Sequence, residues 1–579
     1  MPAPTLAAIT AQLSPTLTLS PARIHPSQAS RAPEQEATHP TILSTTFHID
    51  CPGSSDELSA MEVTQKTVPI QTLPVELLSR IFLLGYSDGV DPARPFKRKA
   101  IEGLNFEVII SHVCSHWRGV ALRTPGLWTS LRMRKPSHLE RGKEFVKRSR
   151  YCLLDVMFDF VARKDHIPGR TLCFDHFHEA FDIAEAHAMR WRSLLLRLCD
   201  LECKGGARAR LHGCAPVPML QSLQLWHLED WGTSQNLFVA TAKPPVQILN
   251  NDVPSLKNLS LVGVNLAWSQ EHYLADLEQI EFALHSEGVR PSVKEWEELL
   301  RASPNLWRLS LHYSGPRVEG AWTASPIPLA HLSVLSLTDM DPTLLCSVMQ
   351  HLTMPTLRTL EMELPEQDFT AFVDLISDAQ APYFPILDDL HISALDCSVE
   401  SWGRFLRTIP KLSYLEADFR RIEHDFFDEL FTKTTHSDEP EASTSAAEQN
   451  KATTHTSLDS VPESSNPFYN VLLPRLRVLK VAGLSAQNLL AYVTFRKTAG
   501  YPVPRLVVHD KMGIDDMNAL QEARVDVEYY QYSDDDDDDE EGEEEDGEEE
   551  DCDEAGGEED EALEDGDEAE VVDDEVEEN

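Results

Sequence analysis

The sequence has no run of about 18 consecutive apolar residues, so it contains no candidate for a membrane-spanning helix. Its ten cysteines are scattered without paired spacings, which is typical of a reduced intracellular protein and predicts no disulfides. The first residues lack a basic segment and include Pro15, a pattern that disfavours a secretory signal. A transit peptide is the alternative, since no acidic residue precedes Glu34, but the prolines disfavour its amphipathic helix. We therefore expect a cytoplasmic and/or nuclear protein with no membrane partner.

Motifs of common enzyme sites are absent as well. The sequence has no GxxxxGK[ST], no GxGxxG after a strand, no GxSxG and no HExxH. Histidines near acidic residues are therefore interpreted as surface side chains of a helix; they are His176, His178 and His187. Cys199, Cys203, His212 and Cys214 have a spacing that zinc could use, but the apolar run LLLRLC favours a buried strand. We expect no enzyme, no catalytic residues, no metal and no cofactor.

Basic residues are missing from one long segment at the end of the sequence. Residues 533–579 hold 32 of the 96 acidic residues and no lysine or arginine, leaving 64 acidic against 50 basic residues elsewhere. The formal net charge of −46 is thus −14 without this segment. We predict a disordered acidic tail, because like charges repel and apolar anchors are scarce. The tail either binds basic partners such as histones or only solubilises the protein; both parts would repel a phosphate backbone, so no nucleic acid is expected.

The rest of the chain divides by composition. Residues 1–68 are rich in Ser, Thr, Pro and Ala and are predicted to be a disordered leader. Residues 69–131 have apolar residues at helical spacing and form the first predicted folded module. Residues 132–190 are predicted to be a connector. Its strongly basic first part, residues 132–150, is predicted to be a solvated helix or connector, with nuclear import or an acidic partner as the alternative role. Residues 191–532 carry a repeated pattern, interrupted by a polar, predicted disordered insertion at 433–467.

The repeated pattern in residues 191–532 is Pro-x-Leu-x-x-Leu-x-Leu. Its copies, some with a looser ending, begin at Leu220, Leu256, Leu306, Leu332, Leu357, Leu387, Leu412 and Leu476. Regular copies are roughly 25 to 30 residues apart, the range of a leucine-rich repeat, which the pattern resembles. The Asn or Cys usual after the last leucine is not regularly present, which makes the repeat irregular. The resemblance implies an α/β solenoid in which neighbouring units stack to bury a shared core.

Segments between the copies have the period of a helix. Examples are Val293, Trp296, Leu299 with Leu300; Phe369, Phe372, Val373 with Ile376; Trp402, Phe405 with Leu406; and Phe426, Phe427 with Leu430. Asp341 followed by Pro342 is a favourable start for a further helix, with an N-cap side chain and proline in the first turn. We therefore predict that strands and helices alternate.

Two motifs in residues 69–131 indicate a protein-binding module. TLPVELLSRIF predicts an amphipathic helix with a wide apolar face, and FEVIISHVCSHWRGVALRTPGLWTSL adds apolar residues at similar spacing. A few short helices are too small to bury all these side chains, so a partner protein is the expected cover. The sequence YSDGVDPARPFKRKAIEGLN separates the motifs and is expected to loop out.

The two motifs resemble the F-box, especially the forms that accompany repeats in mushroom-forming fungi. The resemblance implies binding to a Skp1-type adaptor of a cullin ligase core, with the repeats binding an unknown target protein. By this resemblance the adaptor-facing region contains Leu73, Pro74, Leu77, Leu78, Ile81 and Phe82. It likewise assigns core packing and contact to Val113, Cys114, Trp117, Leu127 and Trp128. For every one of these side chains, packing within the module's own core is the alternative to partner contact.

Three functions follow as hypotheses. The first is a non-enzymatic substrate-recognition subunit of an SCF-type (Skp1-cullin-F-box) E3 ubiquitin ligase. The second is an acidic-tailed binding or chaperone module for a basic nuclear protein. The third is an F-box scaffold outside ubiquitin ligation. The sequence does not identify the target.

Overall fold

The computed structural model describes residues 70, 73–88, 106–228, 244–245, 247–269, 273–320, 322–323, 325–378, 383–431, 433–434, 470–509 and 513–530. The predicted leader (1–68) and acidic tail (533–579) lie outside the described residues, as does the predicted insertion apart from residues 433–434. Within this part of the chain, no helix combines the length and apolar character needed to cross a membrane.

Three short helices begin the described structure: α1 (Val75–Asp88), α2 (Phe106–Val113) and α3 (Ser115–Ala121), followed by a 3₁₀ turn at Pro125–Leu127. The break between α2 and α3 falls at Cys114, whose extended backbone ends one helix while its thiol caps the next by accepting the N–H of Trp117. Ser79 bonds Thr124 at 2.9 Å, which fastens α1 to the segment after α3. These contacts make one helical module from the two sequence motifs.

The remaining structure alternates strands with helices, as predicted. The described strands are β1 (Ser130–Met133), β2 (Leu154–Phe160), β3 (Trp191–Leu198), β4 (Ser222–His227), β5 (Asn258–Val262), β6 (Gln279–Ala283), β7 (Arg308–His312), β8 (Ile327–Pro328), β9 (Val334–Thr338), β10 (Leu352–Thr353), β11 (Thr359–Leu364), β12 (Asp389–Leu395), β13 (Tyr414–Asp418), β14 (Lys433–Thr434), β15 (Asn470–Val471), β16 (Val478–Ala482), β17 (Arg505–Val508) and β18 (Asp526–Tyr529). Two short pairs stand apart, β8 with β10 and β14 with β15. The other fourteen strands form one sheet.

Every neighbouring pair in the fourteen-stranded sheet is parallel, and the strands follow one another in chain order. The register is also shared: Leu309, Leu335 and Leu360 lie side by side on β7, β9 and β11. Because side chains alternate across a strand, both leucines of each Leu-x-Leu point to one face, where they are buried. The repeats thus form a continuous apolar layer that extends from each strand to the next.

Helices cover the apolar layer: α4 (Ser137–Ser149), α5 (Phe174–Glu185), α6 (Leu201–His212), α7 (Val293–Arg301), α8 (Pro342–Gln350), α9 (Thr370–Ile376), α10 (Val399–Thr408), α11 (Asp425–Asp428), α12 (Ala486–Thr498) and α13 (Ile514–Glu522). Further 3₁₀ turns are Arg163–Asp165, Ala188–Arg190, Leu249–Asn251, Glu287–Val289 and Glu429–Phe431. The predicted start of α8 is confirmed, since Asp341 accepts the N–H groups of Thr343 and Leu344. One buried apolar cluster extends from Leu78 in α1 to Val525 before β18.

A backbone turn recurs directly after several strands. The residue that follows the strand has a positive φ at Gly263, Leu284, Tyr313, Asp339 and Gly483. At the first four of these positions the residue donates its N–H to a carbonyl at the end of the next strand, at 2.9 to 3.0 Å. Each of these turns therefore adds one backbone hydrogen bond between neighbouring units beyond the last residue of the strand. These copies have the same backbone geometry although their side chains differ.

Residues 132–190, predicted to be a connector, are part of the sheet and its core, and the helix given as one alternative for residues 132–150 is present as α4. The sheet begins at Ser130, and β2 has buried side chains along almost its whole length. The basic residues of this stretch lie on α4, whose opposite side buries Leu139 and Phe145. The first strands do not follow the Pro-x-Leu-x-x-Leu-x-Leu pattern, so sequence periodicity placed the start of the repeats at Trp191 instead.

Candidate protein-docking surface

Exposed apolar side chains are concentrated on the helical module. Of the thirteen large hydrophobic side chains exposed in the described residues, seven lie between residues 70 and 122: Ile70, Val75, Leu77, Ile81, Leu84, Val113 and Leu122. The other six are dispersed along the rest of the described chain: Tyr151, Ile167, Met189, Leu201, Met219 and Tyr529. Single exposed apolar residues are ordinary, but a cluster indicates a binding surface.

Helix α1 has apolar side chains on two opposite sides. Leu78 and Phe82 face inward and are 0% and 1% exposed. Leu77, Ile81 and Leu84 form an outward stripe at 53%, 44% and 52% exposure. Glu76 and Arg80 share the exposed side of α1 with this stripe, so the apolar side chains form a patch with a charged rim, which is typical of a protein-binding surface. The outward stripe of α1 is therefore the strongest indication of a partner in the described chain.

The junction of α2 and α3 extends the apolar surface. Val113 at the end of α2 is 55% exposed, whereas Cys114 is half-buried by its capping role. Trp117 is partly buried, with its ring centred 4.9 Å from that of Phe82. This contact locks the junction against the inner side of α1, so the exposed side chains are held on a fixed backbone.

The structure separates the eleven residues that the sequence analysis assigns to adaptor binding. Four of them are exposed: Pro74, Leu77, Ile81 and Val113. Leu73, Cys114 and Trp117 are half-buried. The remaining four are buried in the core: Leu78, Phe82, Leu127 and Trp128. For Leu78 and Phe82 the structure thus shows the alternative, packing within the module's own core, where they hold the helix in place.

Trp128 shows what the buried members do. Its indole N–H donates to the carbonyl of Ala121 at 2.9 Å, and its ring meets the edge of Phe145 on α4 with centroids 5.0 Å apart. The guanidinium carbon of Arg148 lies 4.8 Å from the ring centroid on another side. Trp128 therefore joins the helical module to the first helix of the sheet-bearing region.

Sequence reasoning missed part of the exposed surface. Leu84 lies seven residues after Leu77 and three after Ile81, so helical spacing alone places it on the same stripe. It was overlooked because the motif was taken to end at Phe82. Val75 and Leu122 carry no comparable signal, since each lies at a helix end where the exposed side depends on the packing of the neighbouring helix.

No protein-family model matches this chain, and no curated protein is significantly similar to it. Its function is therefore inferred from the geometry of its own surfaces. The order of the described strands in the large sheet never reverses. These strands therefore form no switch point of the kind at which open α/β sheets bind small ligands.

A second candidate docking surface, besides the helical module, is the face of the large sheet opposite its apolar layer. It is here called the polar sheet face. Its middle strands present small hydroxyl side chains in one row: Ser260, Ser310 and Ser336. Trp226 donates to Ser260 at 2.8 Å, and Ser260 donates to Glu281 at 2.7 Å. Ser260 is thereby held in a fixed position, and all three serines are buried.

Charged groups dominate the polar sheet face towards its C-terminal strands. Glu416 accepts hydrogen bonds from His391 at 3.0 Å and Tyr414 at 2.9 Å and pairs with Lys480 at 2.6 Å. Burial alone would raise the pKa of Glu416, but the hydrogen bonds and charges of His391 and Lys480 outweigh it and lower this pKa to about 2. Nearby, Arg308 pairs with Glu361 across the intervening strand β9 at 3.3 Å.

The cysteine and histidine spacing near residue 200 does not form a metal site. The first five residues of the run LLLRLC belong to β3, which confirms the predicted buried strand. Cys199 follows the strand, while Cys203 and His212 lie on α6. Burial raises the pKa of the Cys199 and Cys214 thiols to about 12, which disfavours the thiolate that zinc requires. Among the described residues, these side chains form no group with ligand atoms close together.

Proposed function

We propose that this chain is an F-box protein, the substrate-recognition subunit of an SCF-type E3 ubiquitin ligase. Helices α1–α3 would bind a Skp1-type adaptor, which joins the chain to the cullin ligase core, and the sheet-bearing region would bind the target as an irregular leucine-rich-repeat solenoid. The observation that carries the proposal is the outward stripe of Leu77, Ile81 and Leu84 on α1. It lies in the motif that resembles an F-box.

The outward stripe has the chemistry of an interface core. Covering a fully exposed leucine or isoleucine side chain contributes about 1.5 to 3 kcal/mol, and half-exposed ones contribute about half as much. Three such side chains with Val113 and Leu122 would together contribute about 4 to 7 kcal/mol, which helps to offset the translational and rotational freedom lost on association. The side chains behind the stripe are already packed, so little ordering is needed on binding.

The proposed activity needs no catalytic residue in this chain. A substrate receptor acts by proximity: it raises the effective concentration of target lysines near the ubiquitin carrier held by other subunits. The chain-order parallel sheet supports this role because its polar face offers many side-chain positions on one rigid frame. Adaptor and target would then bind at separate surfaces and could be held at the same time.

The proposal is tested by pull-down of the full-length chain with a purified Skp1-type adaptor. We expect Leu77→Ala combined with Ile81→Ala to abolish retention, because two exposed anchors are lost while the core remains intact. A matched control is Met189→Ala combined with Met219→Ala, which removes two exposed apolar side chains elsewhere and should bind normally. Undiminished binding of the first variant would reject α1 as the docking helix, whereas no retention of the wild-type chain would reject adaptor binding and favour the acidic-tailed binding module instead.

A further inference from the structure

Three potential metal ligands meet in the connection between β2 and α5. His166 lies in this loop, Cys173 is the N-cap residue of α5, and His176 lies in its first turn. One ligand atom from each lies within 4.8 Å of the others. His176 lies on a helix, as predicted, and is half-buried, with Nδ1 at 3.7 Å from the Cys173 sulfur.

The distances suit tetrahedral coordination. Zinc bonds to sulfur and to imidazole nitrogen are about 2.3 and 2.0 Å, so a sulfur and a nitrogen sharing one zinc lie about 3.5 Å apart. The 3.7 Å between the Cys173 sulfur and His176 Nδ1 is close to this value, and a zinc ion bound to Nδ1 would replace the hydrogen bond that this nitrogen accepts from the Cys173 N–H at 3.5 Å. His166 is placed across from them, with its ring centred 5.4 Å from that of His176.

A hydrogen bond holds the ring of His166. Its Nδ1 lies 3.0 Å from the hydroxyl of Thr171, and that hydroxyl also accepts the backbone N–H of Ile167 at 2.9 Å. In the tautomer in which Nδ1–H donates to Thr171, the lone pair of Nε2 is left for a metal, which is the supporting pattern common to metal-binding histidines.

The positive charge of Arg163, in the same loop, is balanced by acidic side chains. Arg163 pairs with Asp175 at 2.8 Å and with Glu202 at 3.2 Å. The Cys173 side chain is 1% exposed, so its sulfur is shielded from oxidants, whereas the two half-buried histidines leave an approach from solvent. Sulfur and imidazole ligands favour zinc over magnesium or calcium.

We propose that His166, Cys173 and His176 bind one zinc ion, with a water molecule as the fourth ligand. Binding converts the Cys173 thiol to a thiolate and releases its proton to solvent, while both imidazoles bind in their neutral form. The ion ties the loop after β2 to the start of α5. This site is independent of the proposed adaptor-binding surface.

The test uses the metal-stripped full-length chain and zinc or cobalt ions alone, in competition with a chromophoric chelator that removes weakly held metal. We expect one tightly bound equivalent, a rise in the melting temperature with zinc, and a near-ultraviolet thiolate-to-cobalt charge-transfer band. Cys173→Ser should abolish the band and the tight equivalent. His166→Ala should weaken binding at least tenfold while leaving the circular dichroism spectrum unchanged, because His166 lies outside the core.

Matched controls distinguish this site from general binding by the other histidines and cysteines. His178→Ala changes an exposed histidine of the same helix, and Cys397→Ser changes a half-buried thiol far along the chain. Both should keep the full equivalent and the band. The proposal is overturned if the wild-type chain holds no stoichiometric metal against the chelator, or if Cys173→Ser and His166→Ala bind as tightly as the controls.

Discussion

The helical module and the sheet-bearing region use apolar and polar side chains in opposite ways. In α1–α3, apolar residues cover both the inside and the outside, so part of the apolar surface has no cover within the described chain. In the sheet, the apolar rows are buried on one face and the polar groups of the other are largely paired with each other. The exposed apolar surface of the helical module can bind almost any apolar partner surface favourably. The polar face of the sheet favours a partner that matches its fixed charges.

The largest expected effect comes from comparing substitutions at two adjacent positions of α1, one buried and one exposed. Leu78→Ala should lower the free energy of unfolding of the module by about 2 to 5 kcal/mol, because it leaves a cavity between α1 and the core. Leu77→Ala should change it by less than about 0.5 kcal/mol, because the side chain is already half in water. Urea denaturation of both variants measures the difference, and equal losses would mean that α1 is not oriented as described.

A smaller effect tests the paired charges of the polar sheet face. The folded-state pKa of Glu416 is depressed, so its ionised form stabilises the fold above its unfolded pKa of about 4.3, and this stabilisation is lost as the pH falls towards about 2. Glu416→Gln should therefore cost about 2 to 3 kcal/mol at pH 7, and the difference from wild type should shrink between pH 5 and pH 3.

Thermal denaturation at several pH values measures this effect. Glu400→Gln, an exposed position on α10, is the control and should behave like wild type throughout. A Glu416→Gln variant whose deficit stays constant down to pH 3 would show that the carboxylate charge is not what Lys480 and His391 stabilise.

The smallest expected effect concerns the acidic tail, which separates the ligase hypothesis from the chaperone hypothesis. In cells, Leu77→Ala with Ile81→Ala should raise the abundance of the target protein, whereas removing residues 533–579 should leave it almost unchanged. Point variants are preferred to deletion of 69–131, because such a deletion would remove part of β1. Loss of a basic, salt-sensitive partner on tail removal, with no change in target ubiquitination in the double variant, would favour the chaperone module.

The repeats were predictable from the sequence because their periodicity is physical. Buried leucines recur at the spacing of one strand and one helix, so the positions of β4, β5, β7 and β9 follow from the pattern. β6 was missed because Ile280 and Phe282 replace the two leucines of the strand, although Leu277 keeps the first position. Strands β1 and β2 were missed because periodicity identifies a strand only where its copies resemble one another.

The candidate site was predictable in location but not in orientation. The two sides of α1 are equally apolar, so no pattern distinguishes Leu77 from Leu78; the contacts of Phe82 with Trp117 and of Ser79 with Thr124 decide it. The group of His166, Cys173 and His176 was unpredictable for a different reason. Its members are brought together by the path of a loop, and loop paths depend on individual turn conformations rather than on periodicity.

Because each strand of the large sheet pairs only with the strands before and after it in the chain, cooperativity along this region is a nearest-neighbour property. Local unfolding of such an array begins at its ends. At the N-terminal end, the helical module packs against the array through Trp128 and Phe145. A protein bound to the outward stripe would therefore slow local opening most at β1 and progressively less along the array. At β18, whose side chains are largely exposed, amide exchange would be almost unaffected.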